Sequence, residues 1–441
     1  MVRRLFGLVE RFRKKPEDNI MARNYRDITV TAVILTVCAT FCRTAEAEDW
    51  PQFLGSGRNG ICSETGLISE FPAAGPELLW KQPLGVGMSS VAVSEGLAVT
   101  LFQDGTSQYV AAFDVSQGTP KWQTAVAPAF QNAMGNGPRA TPTIAAGLVH
   151  VYTGEGVLAQ LDFETGKLNW TVNVPGSLGG RPAEYGVACS PVVTEELVIV
   201  QAGCPQAATA AWKISDGQLQ WKSGSAKSGY ASPLLTTLAG REQLVVFNAA
   251  GAAGLDPASG QQFWNFPFPT EYDCNTATPV RLTNQQLLIS AGENHGSVLL
   301  QIEKQGTEMA ATSVWSSLGT DSQLRAEWQT PVVHDGYLYA LDNQGSAGPI
   351  TNLVCIRLSD RTTMWKKSRF GKSNLILADG KLWISTMKGE LVLAMASPES
   401  YQELARCTLI ETTRQAPVIS NGRLYLRDDH ELLCLKVTAK N

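Results

Sequence analysis

Charge is scarce in this sequence. Asp, Glu, Lys and Arg make up 17% of its 441 residues, against about 25% in an average soluble domain. The net charge of −4 offers no concentrated basic face, so nucleic acid is excluded as a partner. Histidine is scarcer still. His150, His295, His334 and His430 are the only four, none spaced as a metal-ligating pair, and no metal site is expected. No two cysteines adjoin, no Cys-x-x-Cys-His haem signature occurs, and no serine sits in a nucleophile elbow. No apolar run reaches the ~18–20 residues of a membrane-spanning helix. Helix-period patterning is missing beyond residue 48, and the connections are too short for parallel crossovers.

What remains is a turn-rich β composition, with 40 glycines, 11 tryptophans and 44% hydrophobic residues. The N-terminus reads as targeting. Ile28 to Cys42 is uncharged and ends before Ala45-Glu46-Ala47, a small-x-small cleavage signal, so residues 1–47 are a signal peptide and the chain is exported, periplasmic or extracellular. Met21 opens a complete basic n-region and is an alternative start; an uncleaved anchor is the other alternative. Removal of this segment leaves seven cysteines, an odd number, in a compartment that permits disulfides.

An internal repeat decides the fold. Trp80, Trp122, Trp170, Trp221, Trp264, Trp315 and Trp365 recur 42 to 51 residues apart. Asp114-Val115-Ser116-Gln117-Gly118, Asp162-Phe163-Glu164-Thr165-Gly166 and Asp256-Pro257-Ala258-Ser259-Gly260 precede three of them. This is hairpin chemistry: Asp accepts from nearby amides and Gly takes the positive φ. Degenerate copies, Ser215-Asp216-Gly217 and Ser359-Asp360-Arg361, precede Trp221 and Trp365. Out of phase with these, eight short strands begin at Ser90-Val91, Thr141-Pro142, Ser190-Pro191, Ser232-Pro233, Thr278-Pro279, Thr330-Pro331, Asn374-Leu375 and Ala416-Pro417. Their mean spacing of about 47 residues is that of a propeller blade. The eighth unit ends after its third strand, and Glu77–Gln82, bearing Trp80, is an outer strand without a blade. The expectation is an all-β, eight-bladed β-propeller of four-stranded antiparallel blades over 77–441, the last closed by the N-terminal strand, behind a leader over 48–76. The tryptophans are assigned a packing role between blades.

The Asp-x-x-Thr-Gly-x-x-x-Trp units resemble the PQQ-binding-like β-propeller repeats of the quinoprotein alcohol dehydrogenase-like superfamily. Asp49-Trp50-Pro51-Gln52-Phe53-Leu54-Gly55, Gly137-Pro138-Arg139-Ala140-Thr141-Pro142 and Gly229-Tyr230-Ala231-Ser232-Pro233 resemble its exported bacterial members. The resemblance spans 48–441 and implies the fold more specifically than any chemistry, because the family holds both dehydrogenases and non-catalytic assembly scaffolds. A dehydrogenase of this type needs PQQ, calcium and a carboxylate base, and its quinone packs on a disulfide of adjacent cysteines. That pair is missing here.

The expected function is therefore a non-catalytic binding scaffold for a protein, peptide or polymer, acting as a monomer without a cofactor. The alternative is a reduced, PQQ- and calcium-dependent oxidoreductase. Loops into the inner strands would ring one channel mouth and carry the candidate ligand residues Arg139, Arg181, Glu184, Tyr185, Tyr230, Asp273, Asn275, Arg325, Glu327 and Trp328. Cys189 and Cys204 flank a hairpin and could form a structural disulfide. Glu293-Asn294-His295-Gly296 reads as a turn with a solvated imidazole. Gly55-Ser56-Gly57-Arg58-Asn59-Gly60 matches G-x-G-x-x-G without the flanking strand and helix, and reads as a leader turn.

Overall fold

Alternation of apolar and polar residues over short runs, punctuated by Asp-Gly turns, builds eight antiparallel sheets arranged in sequence. The computed structural model describes residues 48–306, 308–345 and 350–439; the targeting segment over 1–47 lies outside them. Seven sheets have four strands and one has five. Blade 1 comprises Ala92–Ser94, Leu97–Gln103, Ser107–Asp114 and Pro120–Pro128. In blade 8, Val418–Ser420, Arg423–Arg427 and Glu431–Lys436 are joined by Glu77–Pro83. There Glu77 lies opposite Lys436 and Trp80 opposite Cys434. The last blade thus takes its outer strand from the beginning of the chain, which closes the ring and covers its open edge.

Five of the seven repeat tryptophans fasten one blade to the next. Indole N–H groups of Trp80, Trp122, Trp170, Trp221 and Trp365 donate to Val115, Phe163, Ile214, Pro257 and Ser397 carbonyls at 2.8–3.2 Å. Each acceptor lies one blade further along. The Asp turn prepares the seat: Asp114 Oδ1 accepts from the amides of Ser116 and Gln117, and Gly118 sits at φ +73° directly beneath the Trp80 ring. Trp264 departs from the pattern and bonds Gln243 Oε1 at 2.6 Å within its own blade. The following blade has no Asp turn but a long hairpin, Gly296–Gln305 and Glu308–Leu318.

A second belt runs around the channel. Ser and Thr just before the inner-strand prolines accept from the amides of the preceding blade: Thr141 N to Ser190 Oγ, Ser190 N to Ser232 Oγ, and Thr278 N to Thr330 Oγ1, at 2.9–3.1 Å. These small residues meet amide needs where proline cannot donate.

The leader is woven into the ring. Trp50 is buried and bridges Val93 of blade 1, Ile61–Cys62 runs parallel to Ser373–Ala378 as the fifth strand of blade 7, and Leu67 bridges Thr438. Between them Arg58 is buried in the channel and donates to the carbonyls of Ser190, Pro191 and Pro233 and to Thr143 Oγ1. The G-x-G-x-x-G segment is therefore a turn, but one that presents an axial plug.

The expected Cys189–Cys204 disulfide is not formed, and all seven described cysteines are free. The hairpin register pairs Val192 with Ile199 and Val193 with Val198, which carries Ala202 rather than Cys204 across from Cys189. Cys189 Sγ instead lies 3.9 Å from the Gln201 carbonyl and Cys204 Sγ 3.3 Å from that of Ala202.

Candidate functional site

The repeat places one residue per blade, three before the proline position, on a ring at one mouth. In blade order these are Met88, Arg139, Ala188, Tyr230, Thr276, Trp328, Lys372 and Arg414. All but Lys372 line a cavity of about 380 Å3, floored in part by Phe53 and Leu54 of the leader. Because equivalent positions in a closed ring face the same axis, side chains distant in sequence meet here.

Two guanidinium groups dominate one side. Arg139 donates to the carbonyls of Tyr185 and Gly135 at 3.0 and 2.6 Å, and also to that of Gly137. Arg414 donates to Met134 O and stands 5.7 Å from the Trp328 ring centre. Burial and then the Arg414 charge hold Arg139 down to about 10, against smaller opposing pulls from Tyr230 and Glu155. Among the described residues neither arginine forms a salt bridge.

Blades 5 and 6 supply the opposite wall. Glu327 is 8% exposed; its Oε1 accepts from Lys372 Nζ at 2.8 Å, while its buried Oε2 has no partner among the described residues. Lys372 also stands 4.2 Å from the Trp328 ring centre. Glu271, Cys274, Glu293 and His295 line the same side. Burial pushes the Cys274 thiol up to about 12, with added repulsion from Glu293, Glu327, Asp273 and Glu184, so it stays protonated. His295 is not fully solvated, since its ring packs edge-on against Phe268 at 4.4 Å. Tyr185 and Tyr230 pack at 5.8 Å along the flank.

Of the ten candidate residues, Arg139, Tyr185, Tyr230, Glu327 and Trp328 thus share the cavity. The other five lie elsewhere. Arg181 and Glu184 are exposed outside it, and Asp273 pairs with Lys227 at 3.1 Å. Asn275 is buried and donates to Asn248 and Phe268 carbonyls. Arg325 turns into blade 6 and binds Asp342 with two bonds, 2.7 and 2.9 Å. Arg414 is not among the ten, although Arg414-Gln415-Ala416-Pro417 repeats the position of Arg139-Ala140-Thr141-Pro142; aligning the blades on proline would find it.

A closed eight-bladed ring with inter-blade tryptophans and a one-sided funnel defines a PQQ-binding-like propeller. The chain belongs to the family described as outer membrane protein assembly factor BamB, whose model matches residues 106–367. A curated relative, outer membrane protein assembly factor BamB of Yersinia pestis, is 22% identical over 278 residues, covering 62% of this chain and 67% of that protein. Among solved structures, quinohemoprotein alcohol dehydrogenase from Comamonas testosteroni superposes with a TM-score of 0.67 at 13% identity, covering 89% of this chain and 81% of that one. BamB from Moraxella catarrhalis superposes with a TM-score of 0.55 at 13% identity, covering 81% of this chain and 100% of that one. No helix among the described residues is long and apolar enough to cross a membrane.

Proposed function

We propose that this exported propeller holds an organic anion of the quinone-cofactor class in its funnel, as a reduced quinoprotein-type oxidoreductase. The observation that carries this reading is the Arg139–Arg414 pair: two partly buried guanidinium groups that repel each other, neither in a salt bridge among the described residues. Like charges held together at a partly desolvated site are costly until an anion joins them. The likeness to the Comamonas enzyme favours this ligand class over others. The cations suit a quinone's carboxylates. The acids do not suit a calcium cage, because among the described residues no three of His, Cys, Asp or Glu come close enough together to hold a metal ion, whereas calcium takes about six to eight oxygens. A bound quinone would supply two-electron acceptance; this chain's residues would bind its carboxylates, orient it beside Trp328 and leave a single mouth open above the leader plug.

The second reading is the non-catalytic scaffold, favoured by the family model and the curated relative. The same arginine pair would then take an acidic side chain or C-terminal carboxylate of a partner protein in the periplasm, after cleavage near Ala47.

Titration with PQQ, with and without calcium, followed by quinone absorbance and dye-linked alcohol oxidation, separates the two. Stoichiometric uptake with turnover, weakened in Arg414→Gln, is expected. Failure to take up the quinone, with an envelope protein captured through the same arginines, gives the scaffold.

A further inference from the structure

The funnel is electrically two-sided. Its cations come from blades 2 and 8, and Glu327, Glu293 and Glu271 come from the connections around blades 5 and 6. The Trp328 ring, its centre 5.7 Å from Arg414 and 4.2 Å from Lys372, lies between the two groups. Within the acidic wall, Glu327 Oε2 is buried and has no donor among the described residues, although Lys372 engages Oε1. Thr270 Oγ1, on the same cavity, also has no partner among them. A buried carboxylate oxygen without a hydrogen-bond donor is unfavourable, and native interiors leave few such groups.

We propose that the funnel's ligand is amphoteric: an aromatic organic acid whose carboxylate meets Arg139 and Arg414 and whose opposite end brings an ammonium or N–H donor to Glu327. This rests on the reading that the ligand is an anion, and adds the second pole. Burial is the main reason the Cys274 thiol is pushed up, and Glu293 and Glu327 on this wall add repulsion to it. A donor there gains from that field. Tyr185, Tyr230 and Trp328 supply apolar flanks suited to a ring between the two charged ends. Lys372 neutralises only part of this wall, because it engages Glu327 at Oε1 while standing over the Trp328 ring.

Three matched compounds test the two poles separately. 4-(Aminomethyl)benzoate carries both, 4-ethylbenzoate has the same shape and carboxylate without the amine, and benzylamine has the amine alone. Ligand-observed NMR titration of the wild-type protein is expected to show the first binding about tenfold more tightly than 4-ethylbenzoate, with benzylamine weakest. In Glu327→Gln the preference should fall to about one, with 4-ethylbenzoate changed by less than about threefold. The wild-type comparison stands even if that variant folds poorly, which its melting curve would reveal. Equal binding of the two acids by wild type overturns the amphoteric ligand and leaves the anion reading intact. Binding of benzylamine alone, or of neither acid, overturns the anion reading and this proposal with it.

Discussion

The indole N–H of Trp80 donates to the carbonyl of Val115 at 2.9 Å, joining the strand that completes blade 8 to the turn of blade 1. One residue therefore seals two boundaries, because its strand also lies against Glu431–Lys436. Trp80 is 7% exposed and packs 5.9 Å from Tyr425. Truncating a buried tryptophan removes both its packing and this bond, so Trp80→Ala should cost about 3–5 kcal/mol in denaturant unfolding. Deleting residues 77–84 should be worse, exposing the edge of Glu431–Lys436 and promoting association in light scattering. Unchanged melting in either variant would show that the ring does not depend on its closing strand.

Two glycines separate the cost of a left-handed backbone from that of close approach. Gly96 has φ +84° with open space around its missing side chain, whereas Gly118 has φ +73° beneath the Trp80 indole. Both alanine variants carry a left-handed penalty of about 1 kcal/mol. Only Gly118→Ala adds a collision, worth about 1–3 kcal/mol more. Equal losses for the two would remove the turn glycine from the account of how blades are fastened.

These local rules explain why the ring was legible in the sequence and the site only half so. An Asp turn, a glycine and a tryptophan recur at fixed offsets in most blades because that unit seats one blade on the next, so the count of eight and the orphan strand around Trp80 stood out. The leader carries no such period. Arg58 reaches Ser190 across 132 positions of sequence, a contact that no spacing announces. At the mouth, residues preceding the inner strands look alike in polarity. Arg139 faces the funnel, but Arg325, chosen on the same grounds, finds Asp342 within its own blade. The register relative to proline distinguishes them, since Arg325 stands six residues before Pro331 and Arg139 three before Pro142.

His150 gives the fold an acid-sensitive point. It is fully buried, its Nε2 lies 3.1 Å from Gln160 Nε2, and burial lowers its pKa from 6.5 to about 4. The unfolded chain therefore binds a proton below pH 6.5 that the native state refuses until about pH 4. Unfolded-state protonation exceeds native protonation across that window, so stability falls as pH drops through it and levels off below. The contribution is about 3 kcal/mol between pH 7.5 and 4. Urea unfolding at several pH values should show a shallower acid slope in His150→Leu than in wild type. Identical slopes would mean that the imidazole accepts its proton inside the fold.

Arg58 is a buried cation that forms no salt bridge among the described residues, held by carbonyls from blades 3 and 4, by Thr143 Oγ1 of blade 2 and by Gln52 Oε1 at 2.8 Å. Burial lowers its pKa to about 10, so it remains charged at neutral pH. Its charge is therefore spread over backbone dipoles, and removal would strand those carbonyls. Arg58→Ala should cost about 2–4 kcal/mol. Arg58→Lys, with three donors at one point instead of a planar fork, should recover part of it. Beyond stability, the plug lines a second cavity of about 430 Å3, together with Gly57, Asn59, Leu234 and Thr236. Losing the guanidinium should let water reach the inner strands from both ends. Hydrogen exchange at Val192–Val193 and Leu234–Leu238 would then accelerate selectively, while the outer strand Pro120–Pro128 keeps its rate. Uniform acceleration across all strands would indicate global destabilisation instead, and the leader would then contribute affinity for the ring without sealing it.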